Sequence, residues 1–219
     1  MLANRQIQDK VELSTSFIDV CFKVVGTSFP ADNGYGLYSA LLRHCPSLRE
    51  NDSINIQTIA GQPDGKGKIT LQEYSCLRIR LPSNADSLPA ILPLAGQTLR
   101  VGNHEIKLGF PQVLPLKPAS SLQARLVTIK GYTEPEPFLD AVDRQIQVLG
   151  IHALVGIPAN ELGEPKRLTI KIKRYSVVGF SVVVRELSPE DSLLLQVRGL
   201  GGKRRMGCGV FVPNSGLGY

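Results

Sequence analysis

The first part of the chain follows a strand-like pattern with a helix-like one. Residues 13–25 are rich in β-branched and aromatic side chains with partial alternation, which is typical of a strand. Residues 35–45 carry apolar side chains at helical spacing, and Pro46 closes this segment. The pattern therefore predicts a strand followed by a helix.

The rest of the first half adds a hairpin and a second, shorter helix. Residues 53–60 and 75–81 are strand-like and bracket a turn rich in Gly and Pro at residues 61–67, the layout of a long hairpin. A short, proline-interrupted helix and a closing strand or hairpin are predicted beyond it, at residues 84–94, 97–101 and 105–108. The first half thus predicts the order β-α-β-β-α-β.

The same order recurs after a proline-bearing segment. The elements predicted there are a strand, a helix, a hairpin, a helix and a short strand, at residues 124–130, 137–149, 167–174 with 177–186, 188–197 and 210–212. The last helix has a good start, because Ser188 can cap it, Pro189 fits its first position and two carboxylates follow.

This repeat predicts the domain organisation. Two β-α-β-β-α-β units predict an α+β protein of two tandem ferredoxin-like (RRM-like) domains. The expected domains are residues 1–110 and 120–219. Residues 111–119, with three prolines, are the expected linker.

The composition supports folded domains. Hydrophobic residues make up 42% of the 219, and the 21 Gly and 15 Pro are scattered, which excludes disorder and a collagen-like fibre. The first ten residues lack a signal-peptide pattern, and no apolar run approaches the roughly 18 residues of a membrane span. We expect a soluble, cytoplasmic protein without a membrane partner.

The four cysteines, Cys21, Cys45, Cys76 and Cys208, stand far apart in the sequence. No CxxC pair is present to bind zinc or to exchange thiols. We therefore interpret them as reduced core residues, and expect neither a metal site nor a cofactor.

The positive charge is concentrated near the C-terminus. The chain carries a net +6, whereas residues 166–205 alone hold ten basic and three acidic residues, a net +7. This distribution favours a polyanionic partner on one face, although a surplus that serves solubility is the alternative.

Residues 199–209 read Gly-Leu-Gly-Gly-Lys-Arg-Arg-Met-Gly-Cys-Gly, a glycine-rich loop with three adjacent cations. Glycines permit positive φ and close backbone approach, so the loop is suited to phosphates. It is neither a P-loop nor a dinucleotide-binding motif, because it precedes a strand and not a helix.

The spacing Gly-apolar-Gly-x5-Gly-apolar-Gly resembles the glycine-rich loop of the RAMP superfamily, specifically the CRISPR repeat-processing endoribonucleases of the Cas-six family. Residues 29–44, Phe-Pro-Ala-Asp-Asn-Gly-Tyr-Gly-Leu-Tyr-Ser-Ala-Leu-Leu-Arg-His, are similar to the cyanobacterial and myxobacterial branch of that family, whose members carry a catalytic histidine hereabouts. The resemblance is strongest at residues 29–45 and 199–212.

The resemblance implies a metal-independent endoribonuclease that cuts precursor CRISPR transcripts within each repeat and leaves a 2′,3′-cyclic phosphate. It implies CRISPR repeat RNA or guide RNA as partner, and retention in a multisubunit effector complex with other Cas subunits. Two other functions stay open: a non-catalytic RAMP-type subunit that binds guide RNA as a scaffold, and an unrelated RNA-binding protein with paired ferredoxin-like domains.

His44 is the candidate general acid or base. It stands seven residues after Leu37, near a helix C-terminus where the dipole favours a protonated imidazole, although a helix-capping role without chemistry is the alternative. His104 is expected in an exposed turn. His152 is either a core histidine or an alternative acid or base.

The second catalytic residue is unassigned, with Tyr35, Tyr38, Arg43 and Arg49 as local candidates. Tyr35 falls nearly opposite His44 on a helical wheel. The candidate RNA-binding residues are those of the loop and one strand, namely Gly199, Gly201, Gly202, Lys203, Arg204, Arg205, Gly207, Gly209, Lys171 and Lys173. Arg78 and Arg80 share a strand face and are further candidates, although a hydrated sheet face explains such pairs equally well.

Overall fold

The computed structural model describes residues 16–84 and 86–214 and has a mixed α+β fold, as predicted. The first half consists of β1 (Phe17–Val25), β2 (Ser28–Pro30), α1 (Gly34–His44), β3 (Asn55–Ile56), β4 (Gln62–Pro63), β5 (Lys68–Thr70), β6 (Cys76–Pro82), α2 (Ser87–Ile91), β7 (Thr98–Val101) and β8 (His104–Pro115). Short 3₁₀ turns follow α1 at Pro46–Arg49 and α2 at Leu92–Leu94.

The first half folds around one antiparallel five-stranded sheet of order β3-β6-β1-β8-β7. Val20 in β1 lies opposite Ile79 in β6 and Val113 in β8. Val20 and Phe22 face a core that includes Leu37 and Leu41 of α1. Because side chains alternate along a strand, Asp19 and Cys21 lie on the opposite face of this sheet.

The second half is built in the same way. It consists of β9 (Ser121–Val127), α3 (Pro135–Val148), β10 (Leu154–Gly156), β11 (Arg167–Ile172), β12 (Tyr175–Arg185), α4 (Pro189–Arg198), a 3₁₀ turn at Arg204–Met206 and β13 (Val212–Pro213). The antiparallel sheet has the order β10-β12-β9-β13, with β11 also paired to β12. The rings of Phe138 and Phe180 lie 4.8 Å apart in its core.

Several predicted boundaries moved. The expected linker 111–119 is shortened, because residues 111–115 continue β8 and pair with β1, with Pro111 opposite Phe22. β7 pairs only with residues 104–107 of β8. Pro111 and Pro115 therefore lie where β8 has β1 on one side and no described strand on the other, so their missing N–H groups cost little.

The predicted strand 53–60 is reduced to Asn55–Ile56. Beyond this strand, the backbone of Ile59 pairs with the buried Asn33 side chain and not with another strand. The Asn33 amide donates to the Ile59 carbonyl oxygen at 3.0 Å, and its side-chain carbonyl accepts from the Ile59 N–H at 3.0 Å. β4 and β5, which follow in the chain, join the earlier strand β2 in a separate three-stranded sheet of order β2-β5-β4. The sequence pattern did not predict this sheet.

The two halves meet through buried polar groups. The Arg80 guanidinium in β6 donates to the carbonyl oxygens of Gln196 at 2.6 Å and Phe211 at 2.9 Å. The Asn55 amide donates to the Val197 carbonyl oxygen at 3.4 Å. The sheet face that carries Asp19 and Arg80 is therefore covered by the second half at this point. Among residues 16–84 and 86–214, no helix is long and apolar enough to cross a membrane.

Candidate functional site

The glycine-rich loop of the second half packs directly on α1 of the first. A Cβ on Gly34, the first residue of α1, would lie 2.1 Å from the carbonyl oxygen of Met206. Only a glycine allows this approach, so the loop and the start of α1 fit together through backbone. The loop and the candidate catalytic helix consequently form one structural unit.

His44 is the last residue of α1 and is partly exposed. Its position after Leu37 and Leu41 places it toward the buried side of the helix, and the helix ends there because Pro46 follows. Within the part of the chain that the structure describes, no hydrogen bond or ion pair holds its ring. The imidazole is therefore available to a bound molecule.

An open cavity of about 430 Å³ flanks α1 on the side away from His44. Its lining joins both halves of the protein and consists of Tyr35, Tyr38, Ser39, Leu42, Arg43, Arg49 and Lys173. All four residues considered as a partner for His44 line this cavity, whereas His44 itself does not. The structure thus brings the candidate partners together at one cavity whose lining does not include His44.

The glycines of the loop approach protein backbone. A Cβ on Gly209 would lie 1.8 Å from the Leu200 carbonyl oxygen, and one on Gly201 would lie 2.4 Å from that of Thr128. A Cβ on Gly199 would clash with the Gly209 carbonyl oxygen, and one on Gly207 would clash with the Thr58 side chain. These glycines are required by internal packing at positive φ.

Most backbone donors of the loop are also used internally. The N–H of Gly201 donates to Oε1 of Gln145 at 2.8 Å, that of Gly202 to the Thr128 carbonyl oxygen at 3.1 Å, and that of Gly209 to the Leu126 carbonyl oxygen at 2.7 Å. The loop is therefore a rigid extension of the second sheet, and its donors differ from the free backbone N–H groups of a phosphate-binding loop.

The three adjacent cations of the loop have different surroundings. Lys203 is exposed and has a left-handed backbone conformation. Arg204 donates to the carbonyl oxygen of Arg198. Of the three, Lys203 presents its charge to solvent.

Arg205 fastens the loop to the end of α1. Its Nη1 donates to the carbonyl oxygens of Leu48 at 3.3 Å and Arg49 at 2.5 Å, and its Nη2 lies 3.2 Å from Oδ1 of Asp52. Its guanidinium also lies over the Tyr38 ring, 5.7 Å from the centroid. These contacts fix the turn that immediately follows His44.

The two candidate lysines of the second half, Lys171 and Lys173, also have different surroundings. Lys171 is exposed on β11, and its backbone N–H donates to Oδ2 of Asp32 at 2.7 Å, which ties β11 to the segment before α1. Lys173 was expected on the same strand as Lys171, but it lies in the tight turn after β11 with a φ of 55° and lines the α1 cavity.

Arg78 and Arg80 share one face, as predicted, but Arg80 is not at the surface. Its guanidinium is fully buried between the halves and paired with Asp19 at 2.8 Å. A strand shows the same alternation of polar and apolar residues whether its polar face meets water or another domain. The sequence pattern alone therefore suggested an accessible cation. Arg80 is accordingly a structural residue.

The remaining histidines are not part of α1. The Nδ1 of His104 is 3.2 Å from the Ser28 Oγ at the start of β8, so it is more enclosed than the predicted turn residue. His152 is exposed, because it precedes the edge strand β10, and its interpretation as a core histidine was wrong.

The cysteines include one adjacent pair. Cys45 and Cys208 are buried, as expected, and burial raises the pKa of the Cys208 thiol to about 11. Cys76 is partly exposed and its sulfur lies 3.6 Å from that of Cys21. Sequence reasoning missed this pair because the two residues are 55 positions apart. It also missed Asp52, the partner of Arg205, which carried no motif.

Comparisons with known proteins agree with this architecture. The Cas6 Crispr family model matches residues 18–216. A CRISPR-associated endonuclease Cas6 of Myxococcus xanthus (strain DK1622) is 34% identical over 197 residues, which cover 90% of this chain and 81% of that protein.

Solved structures agree as well. A Cas6-related protein from Pyrococcus furiosus superposes with a TM-score of 0.63 at 16% identity, covering 91% of this chain and 99% of that one. A CRISPR-associated protein Cas6 superposes with a TM-score of 0.61 at 15% identity, over 91% and 99% of the two chains. At this identity the structures support the fold alone.

Proposed function

Because this chain belongs to the Cas6 family of CRISPR-associated proteins, we propose that it is an endoribonuclease that cleaves precursor CRISPR RNA within its repeats. We further propose that cleavage needs no metal ion and that His44 is the general acid or base. The observation that carries it is the junction of α1 with the glycine-rich loop, where Arg205 fixes the turn directly after an unpaired, partly exposed His44.

The chemistry follows from the atoms of RNA. The ribose 2′ oxygen attacks the neighbouring phosphorus as its proton leaves, the bond from phosphorus to the 5′ oxygen breaks, and a proton goes to that 5′ oxygen. The products are a 2′,3′-cyclic phosphate and a 5′ hydroxyl. A histidine held at a helix end can move one of these protons, and a rigid path for the strand keeps attack in line.

Cations near α1 support binding of the phosphodiester chain. Arg49 and Lys173 line the cavity beside α1, and Lys203 is exposed at the top of the loop. Exposed cations of this kind position RNA through its phosphates and make the affinity salt-dependent. Tyr35, which is partly exposed in the same cavity, offers a ring to an unstacked base.

The strand order supports the two-domain proposal. Each half has four principal strands, which are β1, β3, β6 and β8 in the first and β9, β10, β12 and β13 in the second. Numbered one to four along the chain, they lie in the sheet in the order two, three, one, four: β3-β6-β1-β8 in one half and β10-β12-β9-β13 in the other. This is the order that two β-α-β halves produce in a ferredoxin-like fold. We therefore infer two such domains, with the connection between them reduced to residues 116–120.

Cleavage of a labelled repeat RNA in the presence of EDTA tests the function. We expect cleavage to survive chelation and to be lost in His44→Ala, with the 5′ product ending in a cyclic phosphate. His152→Ala separates the two candidate histidines: that histidine is exposed in the second half, and we expect its replacement to leave the rate unchanged, whereas loss of cleavage would assign the acid or base to His152. Tight binding without cleavage by the wild-type protein would instead favour the scaffold function, and cleavage that stops in EDTA would refute the metal-independent mechanism.

A further inference from the structure

Two cysteines of the first sheet lie side by side on the face that also carries Asp19, opposite the face that packs on α1. Cys21 is in β1 and Cys76 is the first residue of β6. Cys21 pairs with Arg78 and Lys23 pairs with Cys76 across the two strands, so the cysteines are diagonal neighbours on one face. Their sulfur atoms are 3.6 Å apart, and both thiols are free.

The surrounding charges prepare one of the two thiols for reaction. A hydrogen bond from the Cys76 thiol and the nearby Arg78 guanidinium lower the pKa of Cys21 from 9.0 to about 6, against the opposing effect of burial. The pKa of Cys76 is raised, chiefly because it shares its proton with the Cys21 sulfur and is partly buried. One thiolate and one thiol thus stand in contact, the arrangement in which the first reacts and the second resolves the product.

We propose that Cys21 and Cys76 form a redox-modification site at which a peroxide converts the pair into a reversible intramolecular disulfide. The Cys21 thiolate attacks a peroxide oxygen, the O–O bond breaks, and hydroxide leaves and takes a proton from the buffer to become water. The Cys76 sulfur then attacks the resulting sulfenic sulfur, loses its proton and releases water. The two thiols are oxidised by two electrons and the peroxide is reduced to water.

The strand geometry favours a bond that is easily reduced. The sulfurs must approach from 3.6 Å to a bond of about 2.05 Å. Diagonal neighbours on paired strands are typically about 7–8 Å apart, at or beyond the roughly 7 Å between Cα atoms that an unstrained disulfide spans, so the backbone must shift. Cys76 can make this approach because it is the first residue of β6, where pairing begins. Strained disulfides have less negative reduction potentials, so a thiol reductant should reopen this one.

Mass spectrometry of the folded wild-type protein tests the site. After treatment with hydrogen peroxide under non-reducing conditions, we expect an intact mass about 2 Da lower, loss of two of the four titratable thiols, and a linked peptide pair that contains Cys21 and Cys76. Dithiothreitol should restore all four thiols. Cys21 is itself buried, so the internal controls Cys45 and Cys208 differ from it in thiolate character: burial raises the pKa of both control thiols, and they should stay reduced.

Two substitutions separate this site from unrelated oxidation. In Cys76→Ser, Cys21 has no resolving thiol, so peroxide should yield a sulfenic acid that a dimedone probe traps. In Cys21→Ser, the mass decrease should disappear and Cys76 should react slowly. A wild-type protein that keeps four thiols under peroxide, or links other cysteines, would overturn the proposal. Neither outcome depends on nuclease activity, so the proposed function can stand or fall separately.

Discussion

Arg80 is fully buried and its Nε donates to Oδ1 of Asp19 at 2.8 Å, while Nη2 donates to Oδ2 at 3.1 Å. Its Nη1 donates to two carbonyl oxygens of the second half. One side chain therefore neutralises a buried carboxylate and joins the two halves of the protein.

Arg80→Met should lower the free energy of unfolding by about 3–5 kcal/mol, because it leaves the buried Asp19 carboxylate without its nearer, hydrogen-bonded partner. Urea unfolding followed by circular dichroism measures this change. Arg78→Met is the matched control: Arg78 contacts the same carboxylate at 3.5 Å but its side chain is 32% exposed, so the loss should stay below about 1 kcal/mol. Equal losses in the two variants would contradict the assignment.

The cations of the glycine-rich loop should separate into an RNA contact and an anchor. Lys203→Asn, which tolerates the left-handed conformation, should reduce the slope of log affinity against log salt by about 0.7, the value of one phosphate contact to single-stranded RNA. Filter binding at several salt concentrations measures the slope.

Arg205→Ala should leave that slope unchanged, because the guanidinium is engaged by Leu48, Arg49 and Asp52. We expect it to lower the cleavage rate of bound RNA, since the turn after His44 loses its anchor. Single-turnover kinetics at saturating protein separates this effect from binding. A reduced salt slope in Arg205→Ala would show instead that Arg205 contacts phosphate.

Local patterns predicted the helices well. The apolar spacing and Pro46 predicted a helix over 35–45, and α1 spans Gly34–His44. The N-cap at Ser188 is also confirmed, because its hydroxyl accepts from the Asp191 N–H at 3.1 Å. Both depend on residues within one or two turns, so sequence neighbours contain the necessary information.

Contacts across long sequence separations could not be predicted. Arg80 meets carbonyl groups 116 and 131 residues away, and Arg205 meets Arg49 at a separation of 156. An arginine on an alternating strand has the same local pattern at a hydrated surface and at an interface. The structure brings together α1 and the loop, the two segments that the sequence singled out, while the surroundings of the individual cations required the tertiary structure.

The loop glycines should differ sharply in their tolerance of alanine. Gly209→Ala should destabilise the protein by at least about 2 kcal/mol, because Gly209 has a φ of 66° and a Cβ would lie 1.8 Å from the Leu200 carbonyl oxygen. Gly202→Ala is the control, since nothing lies within 4 Å of its added Cβ. Thermal unfolding of both variants measures the difference, and similar melting temperatures would contradict the packing described for the loop.

The reactivity of Cys21 should depend on pH with a midpoint near 6. The thiolate is the reactive form, so the rate of alkylation by iodoacetamide should rise as the pH increases through about 6 and then level off, well below the ordinary value of 9.0. Cys76→Ala should raise the midpoint most, because the hydrogen bond from Cys76 is the largest cause of the lowered pKa, and Arg78→Met should raise it less. Peptide mapping after timed alkylation between about pH 4 and about pH 10, a range that brackets both the lowered value of about 6 and the ordinary value of 9.0, assigns the rate to Cys21. A midpoint that stays near 9 in the wild-type protein would show that the two sulfurs do not share a proton in solution.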